Sequence, residues 1–222
     1  MKVFLSPSNQ TENIYAYGNT NEAVVCGKIA EACKKALERN GIEVMVMHME
    51  SMQEKVVKAN MWGADLYLPI HTNAFNGQVA GTRMFYYSET GKKAADAIFK
   101  YVAPITPGTS ENVKQYMDLY ECRMPNAYTA YLEVDFHDVL SVAKWLIEHT
   151  VEVGEAVAHG ICDYFGVTYK EAQATVTPPI TTGDTIYRVQ VGAFKNKAYA
   201  DAMLAKVKAA GFSDAYIATS TK

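Results

Sequence analysis

Three side chains in this sequence have the type and setting to do chemistry. His71 follows the apolar run Leu66–Ile70 and leads directly into Thr72-Asn73-Ala74. An imidazole at the carboxyl end of a buried strand is placed to ligate a metal or move a proton. The plain alternative is a core histidine with both nitrogens satisfied. Glu133 interrupts the apolar stretch Ala130-Tyr-Leu-Glu-Val, where a lone carboxylate is costly to bury unpaired. A metal or proton-transfer role accounts for it, and an edge strand facing solvent is the competing account. Glu22 follows a loop rich in Asn, Gly and Thr; taken alone it is a first-turn glutamate favoured by the helix dipole. Hydrolysing an amide at neutral pH needs a strong nucleophile, a polarised carbonyl and an acid for the leaving nitrogen. Zinc supplies the first two, and a glutamate outside its coordination sphere moves the proton.

These residues need a scaffold that brings them together. Val3–Leu5 reads as a short buried strand opening into a polar loop, Ser6 to Asn19. A helix follows from about Glu22 to Asn40, with apolar residues at helical spacing and Gly41 as its stop. Ile42–Met49 reads as a second strand. Ser51 and Glu54 form a capping box that opens a short helix ending near Gly63. Leu66–Ile70, Arg83–Tyr87 and Tyr128–Val134 read as further strands, and Thr90–Val102 as a helix. Val139–Phe165 reads as one long helical stretch in which Gly154 and Gly160 are weak points. Alternating strands and helices predict an α/β fold, a mostly parallel twisted sheet with helices on both faces. Ligands of such sheets sit beyond the carboxyl ends of the strands. That rule gathers the loop after strand one, His71 with Asn73, and Glu133 with Asp135.

Composition narrows the function classes. The 222 residues carry a formal net charge of −3, with Lys and Arg dispersed. No electrostatic drive toward nucleic acid or an anionic membrane follows from that. No run approaches the about 18–20 apolar residues of a membrane span, so no membrane insertion is expected. Cys26, Cys33, Cys122 and Cys162 have no metal-knuckle or redox spacing and are expected as buried thiols.

With these residues in place, the chain resembles the zinc amidases of the Amidase_3 family, N-acetylmuramoyl-L-alanine amidases, over approximately residues 2–166. The likeness rests on Lys2-Val-Phe-Leu-Ser-Pro, Asn19-Thr-Asn-Glu22, Pro69-Ile-His-Thr-Asn-Ala74, Gly81-Thr-Arg-Met-Phe-Tyr-Tyr87 and Tyr131-Leu-Glu-Val-Asp-Phe136. It implies Zn²⁺ as cofactor, Glu22 and His71 as metal ligands, Glu133 as the catalytic proton carrier and Asn73 as a substrate-binding residue. It implies hydrolysis of the amide between the muramic acid lactyl group and L-alanine of peptidoglycan. The chain departs from the pattern where the family has a histidine after the first strand; here stand Ser6-Pro-Ser-Asn-Gln10. Gln10, or else Asn9, would replace that ligand through its amide oxygen. Cys26 lies one turn beyond Glu22, where packing is its ordinary role. Asp135 stands where the family commonly has glycine and adds negative charge beside Glu133. His137 is close enough in sequence to contact substrate, whereas His149 and His159 read as structural or solvent-facing.

Residues 1–169 are thus expected to form the catalytic domain and 170–185, with Pro178, Pro179 and many threonines, a linker. Residues 186–222 read as a small β-α-β appendage: a strand over Tyr187–Gly192, a helix over Lys197–Ala210 and a strand over Ala215–Ala218. This tail resembles a partial SPOR repeat, a peptidoglycan-binding module, which implies wall binding and a possible dimer or pairing of repeats. Met1-Lys2 is followed by too short an apolar run for a signal peptide. The expectation is synthesis in the cytoplasm and action on the wall after release, by a phage endolysin or by an autolysin of a lysing mother cell. Two rival readings stay open: a non-catalytic peptidoglycan-binding protein with the amidase fold, and a zinc hydrolase of another amide.

Overall fold

The computed structural model describes residues 1–172, 190–212 and 215–219. Contacts divide the chain into two units, Met1–Ala174 and Thr175–Lys222. The first unit is built on six strands: β1 (Lys2–Pro7), β2 (Glu43–Val46), β3 (Leu66–Asn73), β4 (Arg83–Tyr86), β5 (Asn112–Gln115) and β6 (Tyr128–Phe136). They lie in the order β2-β1-β3-β6-β4-β5. All neighbours are parallel except β4 and β6. The central strands are apolar on both faces because both faces are covered.

Alternation along the strands creates two cores. Val3, Leu5, Leu66, Leu68, Ile70, Leu132 and Val134 join one large cluster. Its other wall is made by α1 (Glu22–Arg39), α3 (Glu89–Val102) and α6 (Thr150–Phe165). Phe4 and Tyr67 point the other way, stacked on each other, and pack with Val56 and Ala59 of α2 (Met52–Trp62). Helices therefore cover both faces, as the alternating pattern required.

Local signals set the helix ends. The Asn21 side chain accepts the Val24 amide and starts α1 with Glu22 in its first turn. Ser51 and Glu54 form the expected reciprocal cap of α2, and Gly63 closes it in the left-handed conformation at φ 72°. The stretch 139–165 is two helices, α5 (Leu140–Glu148) and α6, separated at His149. Gly154 and Gly160 lie inside α6 as sites of close packing. A Cβ at 154 would stand 2.5 Å from the Ala32 Cβ, and one at 160 would collide with the backbone at Ile98. Two short elements had no clear periodic signal: β5 and α4 (Tyr120–Arg123).

In the second unit α7 (Lys197–Ala209) is capped by the Asn196 side chain and carries no buried residue. Residues 173–189, which hold most of the segment read as a linker and the start of the first appended strand, lie outside the described residues, whereas Lys170 is described and its amide donates to Asn40 Oδ1 at 2.6 Å. Residues 190–192 and 215–219 carry no strand, so among the described residues the β-α-β appendage is represented by its helix alone. All four cysteines are buried and free.

Candidate functional site

The loop after β1, the start of α1 and the ends of β3 and β6 meet at the carboxyl edge of the sheet. Glu22 is 1% exposed, fixed there by the start of α1. Its Oε1 lies 2.8 Å from His71 Nδ1 and also accepts the Thr72 amide at 3.3 Å. Its Oε2 accepts from Asn13 Nδ2 at 2.6 Å. Asn13 Nδ2 also reaches Gln10 Oε1 at 2.8 Å, and Gln10 Nε2 lies 3.4 Å from the same His71 Nδ1. The structure thus places Gln10, Glu22 and His71 together. Asn9 turns away and donates to the Glu50 carbonyl at 2.9 Å.

Strand register brings Glu133 beside them: His71 of β3 pairs with Glu133 of β6. Both side chains project from the sheet face that carries Tyr67, and Tyr131 stacks on the His71 ring with centroids 4.9 Å apart. Glu133 is half-buried, and its Oε2 is sealed from solvent without a hydrogen-bond partner. An orphaned buried carboxylate oxygen is a costly arrangement in a folded protein and marks a position built for something else. The β3–β6 register shifts between His71 and Asn73. Asn73 sits at the strand end, where its Oδ1 accepts the Ala74 amide and its carbonyl accepts the His137 amide.

The charges in this cluster shift one another. Burial works against ionised Glu22, but hydrogen bonds from His71 and Asn13, with the His71 charge, hold its carboxyl below the usual range. Burial likewise opposes a charged His71, yet the Glu22 hydrogen bond and the Glu133 and Glu22 charges raise it above an ordinary histidine. Burial pushes Glu133 up to about 7; the His71 charge opposes this, the Glu22 charge adds to it and Arg83 opposes it. Asp135 is not among these causes. Its carboxylate faces the amides of Gly81 at 2.7 Å and Gly108 at 3.0 Å and pins two loops. The expectation that it acts on Glu133 is therefore replaced by a scaffolding role.

Several supporting residues had no motif to reveal them. Tyr15 stacks flat on His137 and shares a 2.9 Å hydrogen bond with Thr72 Oγ1, which lies 3.0 Å from His137 Nδ1. His137 is thus a buried brace behind the β3 end, and burial lowers its pKa. Beneath the site, Glu121 of α4 accepts from Ser6 Oγ at 2.5 Å and Tyr67 OH at 2.6 Å, and buried Lys55 donates to the Pro7 carbonyl at 2.7 Å. His149 stacks on Trp145, and His159 lies between Tyr101 and Tyr169. Cys26 is fully buried among core residues, as packing predicts.

Among the described residues no three His, Cys, Asp or Glu side chains gather as a metal site. The donor set here is one imidazole, one carboxylate and the Gln10 amide, with the orphaned Glu133 oxygen one strand away. These three are the donors that could hold a catalytic zinc ion, the amide being the weakest of them.

Residues 7–163 match the sequence profile of the N-acetylmuramoyl-L-alanine amidase family Amidase_3. The chain belongs to this family. Residues 170–222 match the SPOR domain, so this amidase-family chain also carries a SPOR module, in a match that begins before residue 186. It is 27% identical over 224 aligned residues to the sporulation-specific N-acetylmuramoyl-L-alanine amidase of Bacillus subtilis (strain 168), covering 96% of this chain and 82% of that protein. It is 26% identical to N-acetylmuramoyl-L-alanine amidase CwlM of Bacillus licheniformis, covering 96% and 83%. The fold is similar to the catalytic domain of the amidase CwlV from Bacillus (Paenibacillus) polymyxa var. colistinus. The TM-score is 0.69 at 21% identity, over 76% of this chain and 100% of that one. Cwp6 from Clostridium difficile gives a TM-score of 0.68 at 22% identity, over 73% and 29%. Among the described residues of this amidase-family chain, no helix is long and apolar enough to cross a membrane.

Proposed function

We propose that the chain is a zinc-dependent N-acetylmuramoyl-L-alanine amidase, hydrolysing the amide between the lactyl group of muramic acid and L-alanine in peptidoglycan. One observation carries this reading: Gln10 and Glu22 converge on one nitrogen of His71, while Glu133, paired with His71 across the sheet, keeps a buried oxygen without a partner. Gln10, Glu22 and His71 would hold Zn²⁺, with the Gln10 amide turned to present its oxygen. Bound zinc supplies Lewis acidity toward the lactyl carbonyl and a water-derived nucleophile at neutral pH.

The remaining work falls to the chain's own groups. Glu133, with its carboxyl near 7, is suited to take a proton during attack and return it to the departing L-alanine nitrogen. Asn13 holds Glu22 and Gln10 in one orientation through a single amide group. The stacked Tyr15–His137 pair fixes Thr72, whose amide also reaches Glu22. Asn73, beyond His71 at the strand end, binds substrate. We further divide the chain into a catalytic domain (1–169), a linker (170–185) and a SPOR-like segment (186–222) that holds the enzyme on peptidoglycan. The sporulation-specific name of the Bacillus subtilis relative favours an autolysin over a phage endolysin.

The test is metal content by elemental analysis together with turnover on purified peptidoglycan. One zinc per chain, loosened by Gln10→Ala, with activity lost on chelation and restored by Zn²⁺, is the expected result. Glu133→Gln should keep the metal and lose activity. The weak Gln10 donor favours one rival, a wall-binding protein without turnover; a chain that takes up no zinc yet pellets with peptidoglycan would establish it. New L-alanine amino termini without acetate distinguish the amidase from a hydrolase of another amide.

A further inference from the structure

So far Arg83 has entered only as a charge acting on Glu133, yet it stands beside that proton carrier. β4 runs antiparallel to β6 with Arg83 directly opposite Glu133. Met84 and Tyr86 of β4 enter the large core, so alternation sends Arg83 and Phe85 to the face that carries Glu133 and Tyr131. Directly opposed residues have Cβ atoms about 4.5–5.5 Å apart. Nevertheless Arg83 Nε and Glu133 Oε2 are each buried without a hydrogen-bond partner. The guanidinium lies over the Phe136 ring at 5.1 Å, which steadies its plane but satisfies no N–H group.

The surface beyond Arg83 continues in the same character. Phe85 sits between Tyr131 and Tyr116, with ring centroids 6.1 and 5.4 Å away. Its neighbour on β5 is the exposed Lys114. Outward from Glu133, the face is therefore an aromatic floor bearing two cations. A guanidinium fork with an unpaired N–H is matched by a carboxylate, which takes two parallel charge-assisted hydrogen bonds.

We infer that Arg83 binds a carboxylate of the leaving peptide stem and so sets which stems are cut. This rests on the amidase reading above. With the scissile amide at Glu133, L-alanine extends at most about 3.3–3.6 Å along the chain. The next stem residue then lies within the reach of the Arg83 side chain. A γ-linked D-glutamate there offers a free α-carboxylate, and its amidated counterpart, D-isoglutamine, does not. Arg83 thus makes the acidic stem the preferred substrate.

The experiment is steady-state hydrolysis of N-acetylmuramoyl-L-alanyl-γ-D-glutamyl-L-lysine, whose γ-carboxyl is blocked by the next residue, and of its D-isoglutaminyl counterpart by the full chain and by two variants. The wild type should favour the acid in kcat/KM by about tenfold, expressed mainly in KM, the size of one charge-assisted contact. Arg83→Gln should abolish the preference, and Arg83→Lys, which keeps a point charge and tests the same position if the glutamine variant does not fold, should retain part of it. Equal treatment of both substrates by the wild type overturns the inference while leaving the amidase reading intact. So does a fall in kcat shared by both substrates in Arg83→Gln with the preference unchanged, which would make Arg83 a holder of Glu133 alone. Turnover of neither substrate by the zinc-supplied wild type overturns the amidase reading and this inference with it.

Discussion

Replacing Glu133 with glutamine should stabilise the metal-free protein at high pH relative to low pH. Burial raises the Glu133 carboxyl to about 7, whereas an unfolded chain has a glutamate near about 4.3. A carboxyl raised on folding costs nothing while both states are protonated. The cost grows as pH rises through the unfolded value and levels off above the folded one. Between pH about 4.5 and about 8 the wild type should therefore lose about 3 kcal/mol that Glu133→Gln does not. Glutamine carries its own penalty for burying an amide, about 1–3 kcal/mol, but that term is nearly the same at both pH values and cancels in the comparison. The assay is urea unfolding of both proteins at the two pH values after exhaustive chelation. A stability difference between variant and wild type that stays constant across this range would refute the claim that burial raises the Glu133 carboxyl.

Three other perturbations have defined outcomes. Asn13→Ala removes the amide that spans Gln10 and Glu22; zinc affinity should fall about 10–100-fold, as for other groups that orient ligands, measured by competition with a chelator of known affinity. Gly160→Ala gains about 1 kcal/mol in helix propensity but drives a methyl into the backbone at Ile98, so unfolding should show a net loss of about 1–2 kcal/mol; a gain would mean that α3 and α6 separate freely. Arg39 donates to both Glu155 oxygens, at 3.1 and 2.5 Å, and to the Lys170 carbonyl at 3.0 Å. Burial opposes the Glu155 charge, but Arg39 and Tyr169 outweigh it and depress the carboxyl. Arg39→Ala should cost about 1–2 kcal/mol above the ordinary glutamate range, and the cost should shrink as pH falls through the depressed folded value, leaving the part due to the Lys170 carbonyl; acid titration of thermal unfolding reads this.

The legible parts of the molecule were those where a residue answers to its neighbours in sequence. β1, α1, α2, β3 and β6 follow from apolar runs and caps, and the Ser51–Glu54 box closes as its spacing requires. Tertiary packing changed the meaning of other signals. Gly154 and Gly160 read as weaknesses in a helix; they are where α6 approaches α1 and α3. The 139–165 stretch looked continuous, and only the structure shows the break at His149. β5 and α4 escaped notice because a four-residue element has too few positions to display a period. Asp135 looked electrostatic, but its oxygens are taken by the Gly81 and Gly108 amides, which lie far from it in sequence.

The sequence by itself determined the class of fold and nominated the candidate reactive groups, because alternating apolar periods and a carboxylate within a buried strand are local facts. It could not decide which of Asn9 and Gln10 approaches His71, since one residue of difference after β1 reverses the direction of a side chain. It gave no sign that Asn13 would join two of those groups or that Arg83 would face Glu133. Those are pairings between segments distant in sequence, set by strand register and by where α1 begins, and they exist only once the sheet has formed.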